Sequence, residues 1–287
     1  MLFAIDVGNT HTVLGLFDDG ELVNHWRVAT DDRRTADELA VLVAGLLAGR
    51  PRSSIAAEPG ESAGSTGSTG STRAAAPPGP AVVTGVSVCS TVPAVLHELR
   101  EMLRRYYGDV PGLIVEPGVR TGVPVLMDNP REVGADRIVN ALAVSVLYGG
   151  ACIVVDFGTA TTFDVVSTRG EYVGGAIAPG IEISLEALGH RGAQLRRVEL
   201  ARPRSVIAKN TVEALQAGAV YGFAGQVDGV VERMVAELGL ELDAVTVVAT
   251  GGLAPLVIDE CRTVDRHNEW LTLHGLRLVY ERNRPAD

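Results

Sequence analysis

Leu2-Phe3-Ala4-Ile5-Asp6-Val7-Gly8-Asn9-Thr10 carries an apolar run into a carboxylate, then a glycine and two small polar residues. The run reads as a buried strand that sets Asp6 at the tip of a sheet. Gly8 lets another group approach the backbone closely. Asn9 and Thr10 offer amide and hydroxyl donors to a polyanion. The set suits a metal-bound phosphate, with the carboxylate holding the cation through water and the turn donating to phosphate oxygens. Taken alone, the stretch reads more readily as a plain strand followed by an Asp/Gly turn.

A second copy changes the balance. Cys152-Ile153-Val154-Val155-Asp156-Phe157-Gly158-Thr159-Ala160 repeats the pattern at an offset of 150 (156 − 6 = 150). Gly20-Glu21 is matched by Gly170-Glu171 at the same offset, and Thr12 by Thr162. Further on, Val86-Ser87-Val88-Cys89-Ser90-Thr91-Val92-Pro93 has the outline of Val247-Val248-Ala249-Thr250-Gly251-Gly252-Leu253-Ala254-Pro255. An internal repeat of this kind decides the architecture. It predicts an α/β chain of two facing lobes, 1–149 and 150–287, with a nucleotide in the cleft and a carboxylate from each lobe near its phosphates.

The 287 residues are 46% apolar, enough for real cores, and carry a formal charge of −10. That sign argues against nucleic acid and against an anionic membrane surface. Lys209 is the only lysine, and no GxxxxGK[ST] occurs, so phosphate chemistry must rely on backbone amides, arginine and metal. Cys89, Cys152 and Cys261 have neither disulfide nor zinc spacing, and the first two read as small buried hydrophobes. The chain enters a core strand at once, without a charged leader or a bilayer-length apolar run. A soluble, reducing, cytoplasmic setting is expected.

Strands are expected at 2–7, 11–17 and 21–28, with Asp18-Asp19-Gly20 as the hairpin turn. Thr35-Ala36-Asp37-Glu38 is a capping box opening a helix to about Ala48. Residues 50–80, with GSTGSTGST at Gly64–Thr72, read as a flexible insertion in the first lobe. Pro93 opens a helix to about Tyr107, Leu113–Val115 reads as a strand, and a helix spans roughly Ala135–Leu147. A second meander runs from Cys152 to about Ile177. Asn210 caps a helix to about Leu238, Ala244–Ala249 is a strand, and Leu276–Val279 is expected to be a closing strand.

Gly134-Ala135-Asp136-Arg137 sets an acid beside a base at a helix start. The plain reading is a first-turn Asp favoured by the helix dipole, with Arg137 in a surface ion pair. The chemical reading is a general base, Asp136, taking a proton from a substrate hydroxyl, beside an arginine that clamps a carboxylate. Gly174-Gly175-Ala176-Ile177-Ala178-Pro179-Gly180 reads as a strand end and tight loop, either a close approach to a ligand or only a turn. Gly251-Gly252 is a candidate floor for an adenosine. The six histidines lack metal-ligand spacing. Trp26 and Trp270 read as packing.

Together these motifs resemble type III pantothenate kinase over most of the chain, the 50–80 insertion and the last residues apart. The resemblance rests on Ile5–Thr10, Asp128–Asn140, Asp156–Thr162, Gly174–Gly180 and Asn210-Thr211, in order and at matching separations. It implies the acetate and sugar kinase/heat-shock chaperone/actin fold, with duplicated ribonuclease H-like lobes, and ATP-dependent phosphorylation of pantothenate, the first step toward coenzyme A. By the same resemblance, Asp6, Val7, Gly8, Asn9, Thr10, His11, Thr12 and Val13 line the ATP phosphates, and Asp6 holds Mg²⁺ through water. Gly134, Ala135, Asp136 and Arg137 bind pantothenate, with Asp136 as proton acceptor and Arg137 facing the carboxylate. Asp156 ligates K⁺ or NH₄⁺, Thr159 contacts ATP, Thr211 contacts pantothenate, and the active unit is a homodimer.

Two positions depart from the family pattern. Met127 stands where members often carry tyrosine, and Val13 where some carry lysine. Charge at the transferring phosphoryl must then come from Mg²⁺, the monovalent cation and amides. The repeat makes Asp156 the mirror of Asp6, a phosphate-side metal carboxylate, whereas the resemblance makes it a monovalent-cation ligand; the latter is preferred. A catalytically inactive nucleotide-binding regulator and an actin-like filament are the rival classes. Asp6, Asp136, Arg137 and Asp156 together favour an enzyme, since a pure switch needs no base beside a carboxylate clamp.

Overall fold

The computed structural model describes residues 1–49, 82–191 and 198–284. The expected insertion at 50–80 lies outside them. The first half opens with an antiparallel meander, β1 (Leu2–Val7), β2 (His11–Asp18) and β3 (Glu21–Ala29). Next, β4 (Gly85–Ser90) and β5 (Gly112–Ile114) join in parallel on the other side of β1. The second half repeats the plan with β6 (Ala151–Phe157), β7 (Ala160–Val166), β8 (Tyr172–Pro179), β9 (Val245–Thr250) and the short β10 (Arg266–His267). Strand orders β3-β2-β1-β4-β5 and β8-β7-β6-β9-β10 are the same, with the same strand senses.

The repeat is looser than a constant offset. Val7 pairs with Thr12, leaving four residues in the first turn, whereas Phe157 pairs with Thr161, leaving three. The register partner of Asp6 is Val13 and that of Asp156 is Thr162. Thr162 is therefore equivalent to Val13, not to Thr12. The hairpin ends restore the offset: Asp18 pairs with Glu21, while Ser167 bonds to Glu171.

Strand alternation sorts the side chains into layers. Phe3, Ile5 and Val7 face outward onto α1 (Ala36–Ala48) and α2 (Pro93–Tyr106). Thr35 and Glu38 form the expected capping box on α1. Ile153, Val155 and Phe157 face the opposite way, onto α5 (Thr211–Leu238), which Asn210 caps, with α4 (Ile181–Arg191) beside it. Ala4, Cys89, Cys152, Val154 and Val248 face inward onto α3 (Ala135–Leu147) and α6 (Leu271–Asn283). These two helices form the central layer.

Two expectations fail locally. Leu276–Val279 is not a strand but lies within α6. Leu273, Leu276, Val279 and Tyr280 are buried at helical spacing between the sheets, so central packing overrides an ambiguous apolar run. Gly275 belongs to this contact, since a Cβ there would collide with Val139 of α3. Likewise, residues 174–179 are not a tight loop but most of β8. At 28 residues α5 is the longest of the described helices, and no described helix is long and apolar enough to cross a membrane.

Candidate active site

Asp6 and Asp156 end the inward faces of β1 and β6, one residue before each turn. The two turns close alike: Gly8 N–H donates to the His11 carbonyl and Gly158 N–H to the Ala160 carbonyl, each at 3.0 Å. They meet across the cleft, Thr10 Oγ1 lying 2.9 Å from Thr159 Oγ1. Thr30 ties the first turn down, its hydroxyl donating to the Gly8 carbonyl at 2.7 Å and lying 2.9 Å from Thr12 Oγ1. Between the turns is a cavity of about 260 Å³.

Asp6, Gly8, Asn9, Thr10, His11, Val13, Asp136, Asp156 and Thr159 line this cavity. Val7 instead faces the outer core. Thr12 faces Thr30. Gly134 and Ala135 cap and open α3, and so set Asp136 in its first turn. Burial raises the Asp136 carboxyl above its ordinary value, and its Oδ1 is buried with no hydrogen-bond partner. Burial, then the neighbouring Asp136 charge, pushes Asp6 up to about 7. The Cys89 thiol opposes this, donating to Asp6 Oδ1 at 3.2 Å. Burial, then the charges of Asp136, Asp6 and Asp164, pushes Asp156 up to about 8.

Such a cluster calls for cations. Among the described residues no three His, Cys, Asp or Glu side chains are placed to hold a metal alone. Two buried carboxylates forced toward protonation, with the orphaned Asp136 Oδ1, fit cations shared with water and with a ligand's phosphates.

Arg137 is not in the cavity wall. Its Nε and Nη2 both reach Asp164 Oδ1 at 2.6 Å, and Asp164 is fully buried. Tyr172 donates to the same carboxylate at 2.8 Å and Thr162 at 3.0 Å. Three donors thus hold Asp164, and Asp164 holds the guanidinium. Met127 packs on the central core beside Gly174. Thr211 is the exposed first residue of α5, outside the cavity wall.

Sequence reading missed Asp164, Arg27, Glu182 and Glu269, although all but Asp164 line the cavity. Asp164 had a signal: a carboxylate in the apolar strand Phe163–Val166 is buried and needs a partner. Arg27 had none, for its orientation depends on a bulge described below. Gly251 lies at φ +89°, and a Cβ there would sit 2.5 Å from Asp156 Oδ1. The glycine is what lets this turn close over the carboxylate.

A family model described as type III pantothenate kinase matches residues 2–233. A type III pantothenate kinase of Streptomyces avermitilis is 65% identical over 283 residues, covering 99% of this chain and 98% of that protein. The one from Thermobifida fusca is 61% identical over 99% of this chain and the whole of its own. Among solved structures, one described as a conserved putative Baf family transcriptional activator from Campylobacter jejuni superposes with a TM-score of 0.51 at 17% identity, covering 98% of each chain. It speaks for the fold alone.

Proposed function

The chain belongs to the type III pantothenate kinase family and phosphorylates pantothenate with ATP in the first step of coenzyme A biosynthesis, and on that premise we propose how its residues divide the work. The fold is that of the actin-like ATPases, two mixed five-stranded sheets flanking a nucleotide cleft. One observation carries the proposal: the twin turns and Asp6, Asp136 and Asp156 converge on one cavity.

The first turn, Gly8, Asn9, Thr10 and His11, with Thr159 of the second, holds the ATP phosphates through backbone N–H groups and the touching threonine hydroxyls. Asp6 would hold Mg²⁺ and Asp156 would hold K⁺ or NH₄⁺, and when bound these ions would supply the positive charge that the transferring phosphoryl group needs. Asp136 Oδ1 takes the proton of the pantothenate hydroxyl as its oxygen bonds to the γ-phosphorus and ADP leaves. Its lack of a protein donor leaves that atom open to a hydroxyl, and its raised pKa suits a base working near neutrality. Arg137, oriented by Asp164, offers its remaining donors to the pantothenate carboxylate. Gly134, Ala135 and Met127 shape that end of the site.

Thr211 contacts pantothenate only if the pocket is completed between protomers, so the working unit is a homodimer. Support comes from the apolar side chains exposed on β8, on α4 and around the start of α5, including Ile177, Ile183, Ile207 and Val212. The setting is the cytoplasm, where ATP and K⁺ are abundant.

The test is turnover in Tris-buffered Mg²⁺–ATP with K⁺, NH₄⁺, Na⁺ or no added monovalent cation. Activity is expected with K⁺ or NH₄⁺ and little with Na⁺ alone, and Asp156→Asn should raise the K⁺ concentration required. Full activity without a monovalent cation would overturn that role. An unchanged K⁺ requirement in Asp156→Asn would reassign Asp156 to Mg²⁺.

A further inference from the structure

The cleft wall is acidic. Asp6, Asp136, Asp156, Glu182 and Glu269 all line it, and against these five carboxylates stands one arginine, Arg27, with no lysine. A polyphosphate entering such a cleft meets repulsion at every carboxylate. Bound cations and backbone N–H groups offset part of it, and Arg27 is the one arginine or lysine side chain of the wall that can add to them.

Arg27 reaches the cleft through strand register. It pairs with Val13 on β2, and Val13 pairs with Asp6 on β1, so all three lie in one row on one face of the sheet. A β-bulge sets this row. Asp18 opposes Glu21 and Phe17 opposes Leu22, each pair summing to 39, but past the bulge Leu16 opposes Asn24, a sum of 40. Without the extra residue Val13 would face Trp26, and Arg27 would point to the other side.

From β3 the side chain crosses to the second lobe and lies on the Gly251-Gly252 turn. A Cβ built on Gly252 would come within 2.6 Å of its Cζ and 2.7 Å of its Nη2. The guanidinium makes no hydrogen bond or ion pair with a described residue, although its charge favours the ionised form of Asp156. Arg137 is bound to a carboxylate; Arg27 instead spans the cleft with no partner among the described residues.

We propose that Arg27 is a nucleotide-phosphate contact, its guanidinium donating to non-bridging oxygens of the α- and β-phosphates of ATP, and that Gly252 lacks a side chain to leave it room. A planar fork of donors matches phosphate geometry. The assignment to α and β follows from the row, which puts Arg27 two strands from Asp6 and over the turn, away from Asp136 where transfer occurs. It rests on ATP binding in this cleft, which the wild-type protein reports independently.

The test is calorimetric titration of the full chain with ATP, ADP and adenosine. Arg27→Ala should weaken ATP and ADP alike by about 10–100-fold, the range for a lost charge-assisted contact, and leave adenosine within twofold. Arg27→Lys should recover part of the loss. Gly252→Ala, whose methyl takes the guanidinium's place, should weaken ATP and ADP in the same direction, and the double variant should be no worse than Arg27→Ala. Unchanged ATP and ADP binding in Arg27→Ala would refute the proposal, as would an equal loss for adenosine, which would mean that Arg27 only shapes the cleft. Loss of ATP but not ADP affinity would move the contact to the γ-phosphate and overturn the assignment made here.

Discussion

Replacing Asp136 by asparagine should push activity and stability in opposite directions. The change keeps the shape of the side chain and removes both the base and its charge. General base catalysis contributes about 10²–10⁴-fold, so kcat should fall by that factor, or about 2.7–5.4 kcal/mol at about 1.36 kcal/mol per tenfold. ATP binding should stay near normal. Stability is expected to rise. The Asp136 charge raises the pKa of both Asp6 and Asp156, so the three carboxylates repel one another in the folded state. Against this, an acidic residue in the first turn of a helix gains about 0.3–1 kcal/mol from the dipole. The raised pKa of Asp136 itself decides the sign: in the folded protein the charged form is the disfavoured one. Relief of surplus charge at such a site contributes about 0.5–2 kcal/mol, which is about 2–4 °C in Tm per kcal/mol for a chain of this size. The assays are a coupled ADP-release assay at saturating substrates and a thermal melt of the ligand-free protein in EDTA. Turnover within about threefold of wild type would sink the base assignment and make Asp6 the next candidate. A Tm lowered by several degrees would show that the carboxylate anchors the helix rather than straining it.

Asp164→Ala should cost about 3–5 kcal/mol in a urea melt, because it leaves the nearly buried Arg137 guanidinium uncompensated; a loss under 1 kcal/mol would mean that the pair contributes little. Any folded Asp164→Asn protein should show a raised KM for pantothenate with the KM for ATP unchanged, as expected of a residue that orients Arg137. The ligand-free protein should lose stability as pH rises from 5.5 to 8.5. Asp6 and Asp156 have folded pKa values near 7 and 8, above the ordinary 3.8, so the native state binds protons more tightly and that stabilisation fades through the folded values. Asp156→Asn should flatten the decline; a flat or rising wild-type Tm over the same window would contradict the proton linkage. Deleting residues 56–79 should leave Tm and kcat nearly unchanged, on the grounds of their low-complexity composition; a large drop in either would show that the segment packs or acts.

Much of this molecule was legible in one dimension because its signals are local. An apolar run ending in Asp-x-Gly and repeated 150 residues later already implies two sheets with a carboxylate at the tip of each. Alternation then dictates that Asp6 and Asp156 face inward with Ala4 and Cys152. The capping box at Thr35 and the cap at Asn210 are written in consecutive residues. Asp136 was readable from its helix start. What the sequence alone left open depends on which surfaces meet. Leu276 lies in a helix because a central layer between two sheets needs one, and the apolar run Leu271–Val279 tolerates either period. Arg137 is turned toward Asp164, a partner 27 residues away that only the packing of α3 on β7 brings near. Arg27 enters the cleft, and Trp26 does not, because one unpaired residue in β3 reverses the face of every β3 residue beyond it. The bulge leaves no mark in the hydrophobic pattern, because Leu22 and Val23 at the register shift are both apolar and half-buried, so only the folded sheet decides which side chain enters the cleft.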